Sequence, residues 1–308
     1  MRTIFYETLA ALGQHADFRH VHVMGTVLGR LIWAGVPSRR RLATTAFMER
    51  LGLDSAQASA AARNSFLHNG QSFLEILLCR RIDWRFVRDR LIIDDPERFH
   101  ETLNELRGRP CVAATAHLGA WELISGLLHL ITPQEHKQVI VKATHDQYLY
   151  SVIRRMRSQP TVRVVEHEQA VPKVLRNLKQ NGLSGFLVDH NCRREEAVFL
   201  PFLGREAAVN IGPALLALRA KALVWPAFLV REPSGKFRLV FEAPLDAQSI
   251  SGDRHEKVEA IARFYTQAVE RMVRRYPEQW FWMHRRWKTR PEGEGAHETR
   301  GGDSSVKG

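Results

Sequence analysis

The stretch "CVAATAHLGAWEL", residues 111–123, decides how this chain is read. Its first part, "CVAATA" (111–116), is short, apolar and bounded by Pro110 and His117, the pattern of a buried parallel strand. A helix-like segment follows, from residue 119 to 131. The apolar run breaks at an imidazole, His117, with a carboxylate, Glu122, five residues on. Two readings are open: an ordinary strand-to-helix corner, or a base beside its orienting acid. On one continuous helix, five steps of about 100° set the two side chains roughly 140° apart, and they do not meet. They meet if His117 closes the strand and Glu122 lies in the first turns of the helix, with Gly119 permitting the tight turn. The carboxyl ends of parallel strands are where α/β sheets bind ligands. A neutral imidazole there takes a proton from a hydroxyl. A carboxylate on its other ring nitrogen fixes the tautomer and stabilises the imidazolium. No Ser or Cys stands in a G-x-S-x-G elbow. A base–acid pair without a protein nucleophile points to direct attack by a bound acceptor.

Outward from this corner, strands and helices alternate. "KQVIVKA" (137–143), "TVRVVE" (161–166) and "LSGFLVDH" (183–190) read as strands. "QYLYSVIRRMRS" (147–158), "QAVPKVLRNLKQNG" (169–182) and "VNIGPALLALRAKA" (209–222) read as helices. "LVWPAFLVRE" and "KFRLVFEAP" form a strand pair around Pro233-Ser234-Gly235, and a long helix over 254–276 ends before Pro277. The alternation predicts an α/β fold with a mainly parallel central sheet flanked by helices. Residues 1–109 read as a helical N-terminal region with no convincing strand, and 110–291 as the α/β domain. Residues 54–82 predict a helix pair or one long helix, capped by Asp54 or Ser55. The polar, Gly-rich tail, 292–308, is predicted to be disordered.

The 308 residues carry 45 Lys and Arg against 33 Asp and Glu, a net charge of +12. Such an excess favours an anionic partner: nucleic acid, an acidic membrane surface or an acidic carrier protein. Cys79, Cys111 and Cys192 are widely spaced, which excludes a disulfide framework and a zinc motif and suits reduced thiols. His15, His20 and His22 lack a carboxylate or Cys to complete a metal set and read as surface histidines. The first twenty residues show no signal-peptide pattern. The most apolar segment, "VHVMGTVLGRLIWAGVP" (21–37), carries His22 and Arg30, so it falls short of a transmembrane helix. Met24, Val27, Leu28, Leu31 and Ile32 recur on one helical stripe, and Arg39, Arg40 and Arg41 follow. Such a helix lies in a membrane interface with its cations toward lipid phosphates, or packs on the domain's own core. "WFWMHRRWK" (280–288) mixes rings and cations, which suits a membrane interface, single-stranded nucleic acid or, for part of the rings, the core. No RNA-binding motif accompanies it.

Several blocks together resemble one family. The chain is similar to the lysophospholipid acyltransferase superfamily with its H-x4-D/E motif, and more closely to the lipid A late acyltransferases, the lauroyl and myristoyl transferases of Gram-negative bacteria. The similarity runs from residue 24 to 291. It is carried by "GTVLGRLIWAGVPSRRR", "SFLHNGQSFLEILL", "AHLGAWEL" and "VIRRMRS". Two longer and more specific blocks are "GFLVDHN…AVFLPFLGREAAVNIGPALLALRAKALVWPAF" and "YPEQWFWMHRRWKTRP".

The resemblance implies a glycerolipid acyltransferase-like sheet and a membrane-associated N-terminal region. It implies transfer of a fatty acyl chain from an acyl carrier protein thioester or acyl-CoA to a hydroxyl of an anionic lipid or glycolipid, at the cytoplasmic face of the cell inner membrane. No metal or cofactor is required and no nucleic acid is expected. His117 would be the general base and Glu122 its partner. Arg154 best matches an arginine that binds a phosphate or the developing oxyanion. Asp189, which ends a strand as His117 does, Phe202 and Gly204 would contact substrate. Where the family has a polar amide beside the acid, this chain has His190. Transfer to a lysophospholipid or aminolipid, or a non-catalytic basic membrane or nucleic-acid binder, are the alternatives.

Overall fold

In the computed structural model, which describes residues 17–142 and 146–293, helices α1 (Phe18–Gly35), α2 (Pro37–Leu51) and α3 (Ser55–Glu75) precede any strand. Asp54 and Gln57 form a reciprocal capping box at the start of α3, which fixes its first turn. The helix runs into a 3₁₀ segment, Ile76–Arg81, so of the two forms expected, a helix pair or one long helix, the structure shows one helix with a tightened end. After α4 (Trp84–Arg90), β1 (Leu91–Ile93) and α5 (Pro96–Leu106), the alternating part begins with β2 (Cys111–Thr115). It continues through α6 (Ile124–Ile131), β3 (Lys137–Val141), α7 (Gln147–Arg157), β4 (Val162–Glu166), α8 (Ala170–Lys179) and β5 (Leu183–Leu187). A hairpin of β6 (Ala197–Phe202) and β7 (Arg205–Asn210) stands apart from the main sheet. Then come α9 (Gly212–Ala220), β8 (Leu223–Arg231), β9 (Phe237–Phe241), β10 (Leu245–Asp246) and α10 (Arg254–Arg275).

The main sheet has the order β1-β9-β8-β2-β5-β3-β4, with β10 paired to β8. β8, β2, β5, β3 and β4 run parallel, and β8 meets β9 antiparallel, as the sequence pattern predicts. β1 departs from the all-helical expectation for the N-terminal region. It is three residues long and pairs with β9, far away in the chain, so no local period announces it. One face of the sheet packs on α2, α3, α8, α9 and α10, and the other on α1, α4, α5 and α6.

Helix α1 packs through glycine rather than through its apolar stripe. A Cβ on Gly70 would lie 2.1 Å from the Gly25 carbonyl oxygen, and one on Gly29 would lie 2.3 Å from that of Phe66. Backbone therefore meets backbone between α1 and α3, the contact that small residues spaced four apart allow. Val23, Met24, Val27 and Leu31 remain exposed on the outer face, while Ile32 packs on the core. No helix among the described residues is long and apolar enough to cross a membrane.

The two helices also share a buried ion cluster. Glu75 takes Nε and Nη2 of Arg231 at 2.8 and 2.5 Å, and its Oε1 meets Nε2 of His22 at 2.9 Å. Burial raises the proton affinity of Glu75, but Arg231 and His22 outweigh it and hold the carboxyl below its ordinary range. His22 is thus a bonded, mostly buried residue rather than a surface one.

Gly70→Ala is expected to force α1 from α3 and to destabilise the fold by about 1–3 kcal/mol. Gly35→Ala, whose Cβ meets nothing within 4 Å, is the matched control. Thermal unfolding followed by circular dichroism measures both, and an unchanged midpoint in Gly70→Ala would contradict the backbone contact.

Candidate active site

Strand β2 ends at Thr115 and the chain turns through Ala116, His117, Leu118 and Gly119. Gly119 has φ +64°, and a Cβ there would lie 2.2 Å from the carbonyl oxygen of Leu229, so the turn requires glycine. The corner is pinned from three sides. Gly119 donates its N–H to Gln279 O at 2.9 Å, Ala120 donates to Leu229 O at 2.7 Å, and Phe281 donates to His117 O at 2.9 Å. Ser72 Oγ, on α3, donates to Gly119 O at 2.8 Å.

β5 lies beside β2 with Thr115 opposite Leu187, so the residues two further on, His117 and Asp189, emerge together at the carboxyl rim. His117 Nδ1 meets Asp189 Oδ1 at 2.9 Å, and the His117 backbone N–H donates to Oδ2 at 2.9 Å. Trp280 Nε1 donates to the same Oδ2 at 2.8 Å. Asp189 is wholly buried, whereas the His117 side chain is 30 % exposed. Burial raises the Asp189 carboxyl, but the His117 charge and hydrogen bond, then His284 and Trp280, outweigh it and hold the group ionised. For His117, burial lowers the imidazole pKa, while Asp189 by charge and hydrogen bond, then Glu122 by charge, raise it above the ordinary value. An ionised Oδ1 makes Nδ1 the donor and leaves the Nε2 lone pair as the base.

The expected hydrogen bond between His117 and Glu122 is not formed. Glu122 lies on a 3₁₀ turn, Trp121–Leu123, and accepts from Arg157 twice, Nε to Oε2 at 2.7 Å and Nη2 to Oε1 at 2.6 Å. Both residues have Trp121 as a neighbour: its Nε1 donates to Glu122 Oε1 at 3.2 Å, and His117 meets its ring edge-on at 5.6 Å. Glu122 therefore acts on His117 through space. Of the arginines on α7, Arg154 and Arg155 face solvent, and Arg157 turns inward. Burial lowers the Arg157 pKa, and the charge and hydrogen bonds of Glu122 outweigh that and raise it.

The C-terminal block builds the wall behind the dyad. Trp280, Trp282 and Arg286 are buried core residues, so this stretch is not a surface patch of alternating rings and cations. Burial pushes His284 down to about 4, so its ring is neutral; it stacks on Phe281 and approaches Asp189 O with Nε2 at 3.2 Å. Phe202 is buried edge-on against Trp280 at 5.6 Å, under the Arg286 guanidinium. Gly204 occupies the exposed tip of the β6–β7 hairpin with φ +76°. The structure thus gathers His117, Glu122 and Asp189 at one rim. Phe202 supports that rim from behind Trp280, and Arg154 and Gly204 stand on the surface. His190 is exposed and bonds Leu187 O, while burial pushes the Cys192 thiol up to about 11, which keeps it protonated.

The sequence pattern offers Arg157 beside Arg154 and Arg155 and favours Arg154, and it gives Trp280 and Phe73 no individual role at the site. Phe73, on α3, closes a triangle of rings with Trp121 and Phe281 beside His117. Helical phase was the available signal for Arg157, three residues beyond Arg154; none was available for Phe73. Between α6 and the strands β2, β5 and β3 lies a narrow, mostly apolar cavity with about 70 Å³ of room for water-sized contents. Thr115, Trp121, Glu122 and Arg157 line it on the side of the rim. Among the described residues, no group of three or more His, Cys, Asp or Glu is placed to hold a metal.

The chain is 31 % identical over 122 residues to the lipid A biosynthesis lauroyltransferase of Escherichia coli (strain K12), covering 39 % of this chain and 38 % of that protein. It is 29 % identical over 118 residues to the lipid A biosynthesis palmitoleoyltransferase of the same organism, covering 38 % of this chain and 37 % of that protein. The lipid A biosynthesis acyltransferase of Shigella flexneri matches to the same extent. The chain thus spans less than two fifths of the length of the relatives it matches. A family model described as bacterial lipid A biosynthesis acyltransferase matches residues 5–289, nearly the whole sequence, and the chain belongs to that family.

Proposed function

We propose that this chain transfers a fatty acyl group from a thioester of acyl carrier protein or CoA to a hydroxyl of a lipid A precursor or related glycolipid. The observation that carries the reading is the His117–Asp189 pair at the sheet rim, two residues beyond Thr115 and Leu187, which line an apolar cavity. His117 Nε2 takes the acceptor's hydroxyl proton as its oxygen attacks the thioester carbonyl. The tetrahedral intermediate collapses, the carbon–sulfur bond breaks, and the imidazolium returns the proton to the departing thiolate. The fatty chain enters this cavity, which widens to take it. The backbone N–H groups of residues 117–120 are all engaged within the protein, to Asp189, Ala116, Gln279 and Leu229, so they do not form an oxyanion hole. Arg157 commits Nε and Nη2 to Glu122, and its Nη1 and positive charge serve the developing oxyanion. The solvent-facing Arg154 suits a phosphate of the acceptor or an acidic face of the donor.

The exposed stripe of α1 with Arg30 and Arg41 beside it supports docking at an anionic membrane surface, on the cytoplasmic face of the inner membrane. A lysophospholipid or aminolipid acceptor fits the same base, which sees only the nucleophilic atom. A non-catalytic binder predicts no transfer at all.

Incubation with radiolabelled acyl carrier protein thioester and total lipid is expected to yield labelled lipid. His117→Ala is expected to keep its fold and lose at least about 100-fold in turnover; an unchanged rate would remove His117 from the chemistry. Because the base works unprotonated, kcat/KM is expected to rise with pH through the raised His117 pKa and then level. In Asp189→Asn the opposing charge is gone and burial dominates, so that limb moves to lower pH while the plateau falls roughly 10²–10⁴-fold. Met24→Glu with Leu31→Glu is expected to weaken binding to anionic vesicles in a flotation assay while changing stability by no more than about 0.5 kcal/mol. Undiminished flotation would place the membrane contact elsewhere.

A further inference from the structure

The cavity exists because the sheet is notched beneath α6. Strand register sets Val139, Gly185 and Ala113 side by side on β3, β5 and β2, with Trp225 of β8 next in line. This row lies two residues, about 7 Å, below the rim row of Leu187 and Thr115, and side chains two apart share a face. In its middle, Gly185 has no side chain and Ala113 a single methyl. Leu128 of α6 lines the cavity beside Gly185.

Nothing in the protein demands a glycine at position 185. It is not among the glycines with positive φ. A Cβ there would stand 3.5 Å from Val139 Cγ1, 3.7 Å from Gln138 O and 3.8 Å from Leu128 Cδ1, all ordinary contacts. This contrasts with Gly70 and Gly119, where a Cβ would collide with backbone. Glycine inside a strand weakens it and marks a place where a backbone or a ligand comes close. No backbone does so here. At the rim of the same cavity, Thr115 Oγ1 is buried and has no hydrogen-bond partner among the described residues. The cavity therefore offers a polar contact near its mouth and a bare apolar floor, which matches a thioester carbonyl followed by an alkyl chain.

We propose that Gly185 sets the depth of the cavity, so that the run from the rim down to residue 185 fixes the length of the straight alkyl chain the protein accepts. The inference rests on the acyl-transfer reading and adds to it the residue that selects among donors.

The test compares the full chain with Gly185→Ala and Gly185→Val on a graded series of saturated acyl carrier protein thioesters, short to long. Both variants are expected to move the preferred chain to a shorter one, Val further than Ala, with kcat/KM for the shortest donors kept. One methylene in an apolar pocket discriminates roughly 10–200-fold, so Gly185→Val should lose at least about tenfold on the longest donor the unmodified chain uses well. In parallel, thermal stabilisation by a graded series of alkyl maltosides reads occupancy without chemistry. Here the longest stabilising member is expected to shorten in the same order. A chain-length profile unchanged in folded Gly185→Val, while transfer continues, would overturn the depth assignment and leave the transferase reading intact. Absence of transfer from every donor would overturn that reading, and the maltoside series would still decide the depth. Gly185→Ala, whose Cβ makes only ordinary contacts, keeps the comparison interpretable should the valine variant unfold.

Discussion

A wholly buried carboxylate stays ionised at Asp189 only because three donors converge on it. Removing a charge of this kind from water costs several kcal/mol unless opposite charge and hydrogen bonds offset it. The donors come from two separate places in the chain: the His117 backbone and ring at the end of β2, and the Trp280 indole in the C-terminal block. The corner itself is held by β8, by residues 279–281 and by Ser72 of α3. His117 is therefore oriented by the whole α/β layer rather than by its sequence neighbour. Phe202, far from the cavity, enters this arrangement by packing behind Trp280.

Glu122 and Arg157 form a second, nearly independent pair on the same rim. Their two-point geometry fixes the guanidinium plane and brings α7 onto the turn after Gly119. The charge of Glu122 raises the His117 proton affinity and that of Arg157 lowers it, so the pair modulates the imidazole without a hydrogen bond to it. Two carboxylates thus divide what one would do in a simple dyad. Asp189 holds the ring, and Glu122 holds the cation beside the cavity.

The N-terminal helices link this rim to the outer surface. α1 buries Gly25 and Gly29 together with Phe18 and Val21, and exposes Val23, Met24, Val27 and Leu31 where an ordinary amphipathic helix on a soluble core carries polar residues. Its His22 joins Glu75, which joins Arg231 at the end of β8, and Arg231 Nη2 donates to the same Ser72 hydroxyl that holds Gly119. A continuous chain of buried polar contacts therefore connects the exposed helix to the His117 corner.

The sequence alone determined the alternation of strands and helices, because short buried runs and helical periods are local properties of the chain. It also determined that His117 and Asp189 share a rim, since both follow strands of a parallel sheet. The short β1 was not legible, because it is defined by a partner strand far away. Neither was the choice of Asp189 over Glu122 as the partner of His117. That choice depends on β2–β5 register and on the 3₁₀ turn that carries Glu122 to Arg157, and both are set by packing across the sheet. The stripe of α1 was visible as a period, yet its direction was decided by the glycine contacts of α3. Spacing reports which residues lie on one face; only the tertiary structure decides what that face meets, because the partner surfaces come from segments that local pattern does not connect.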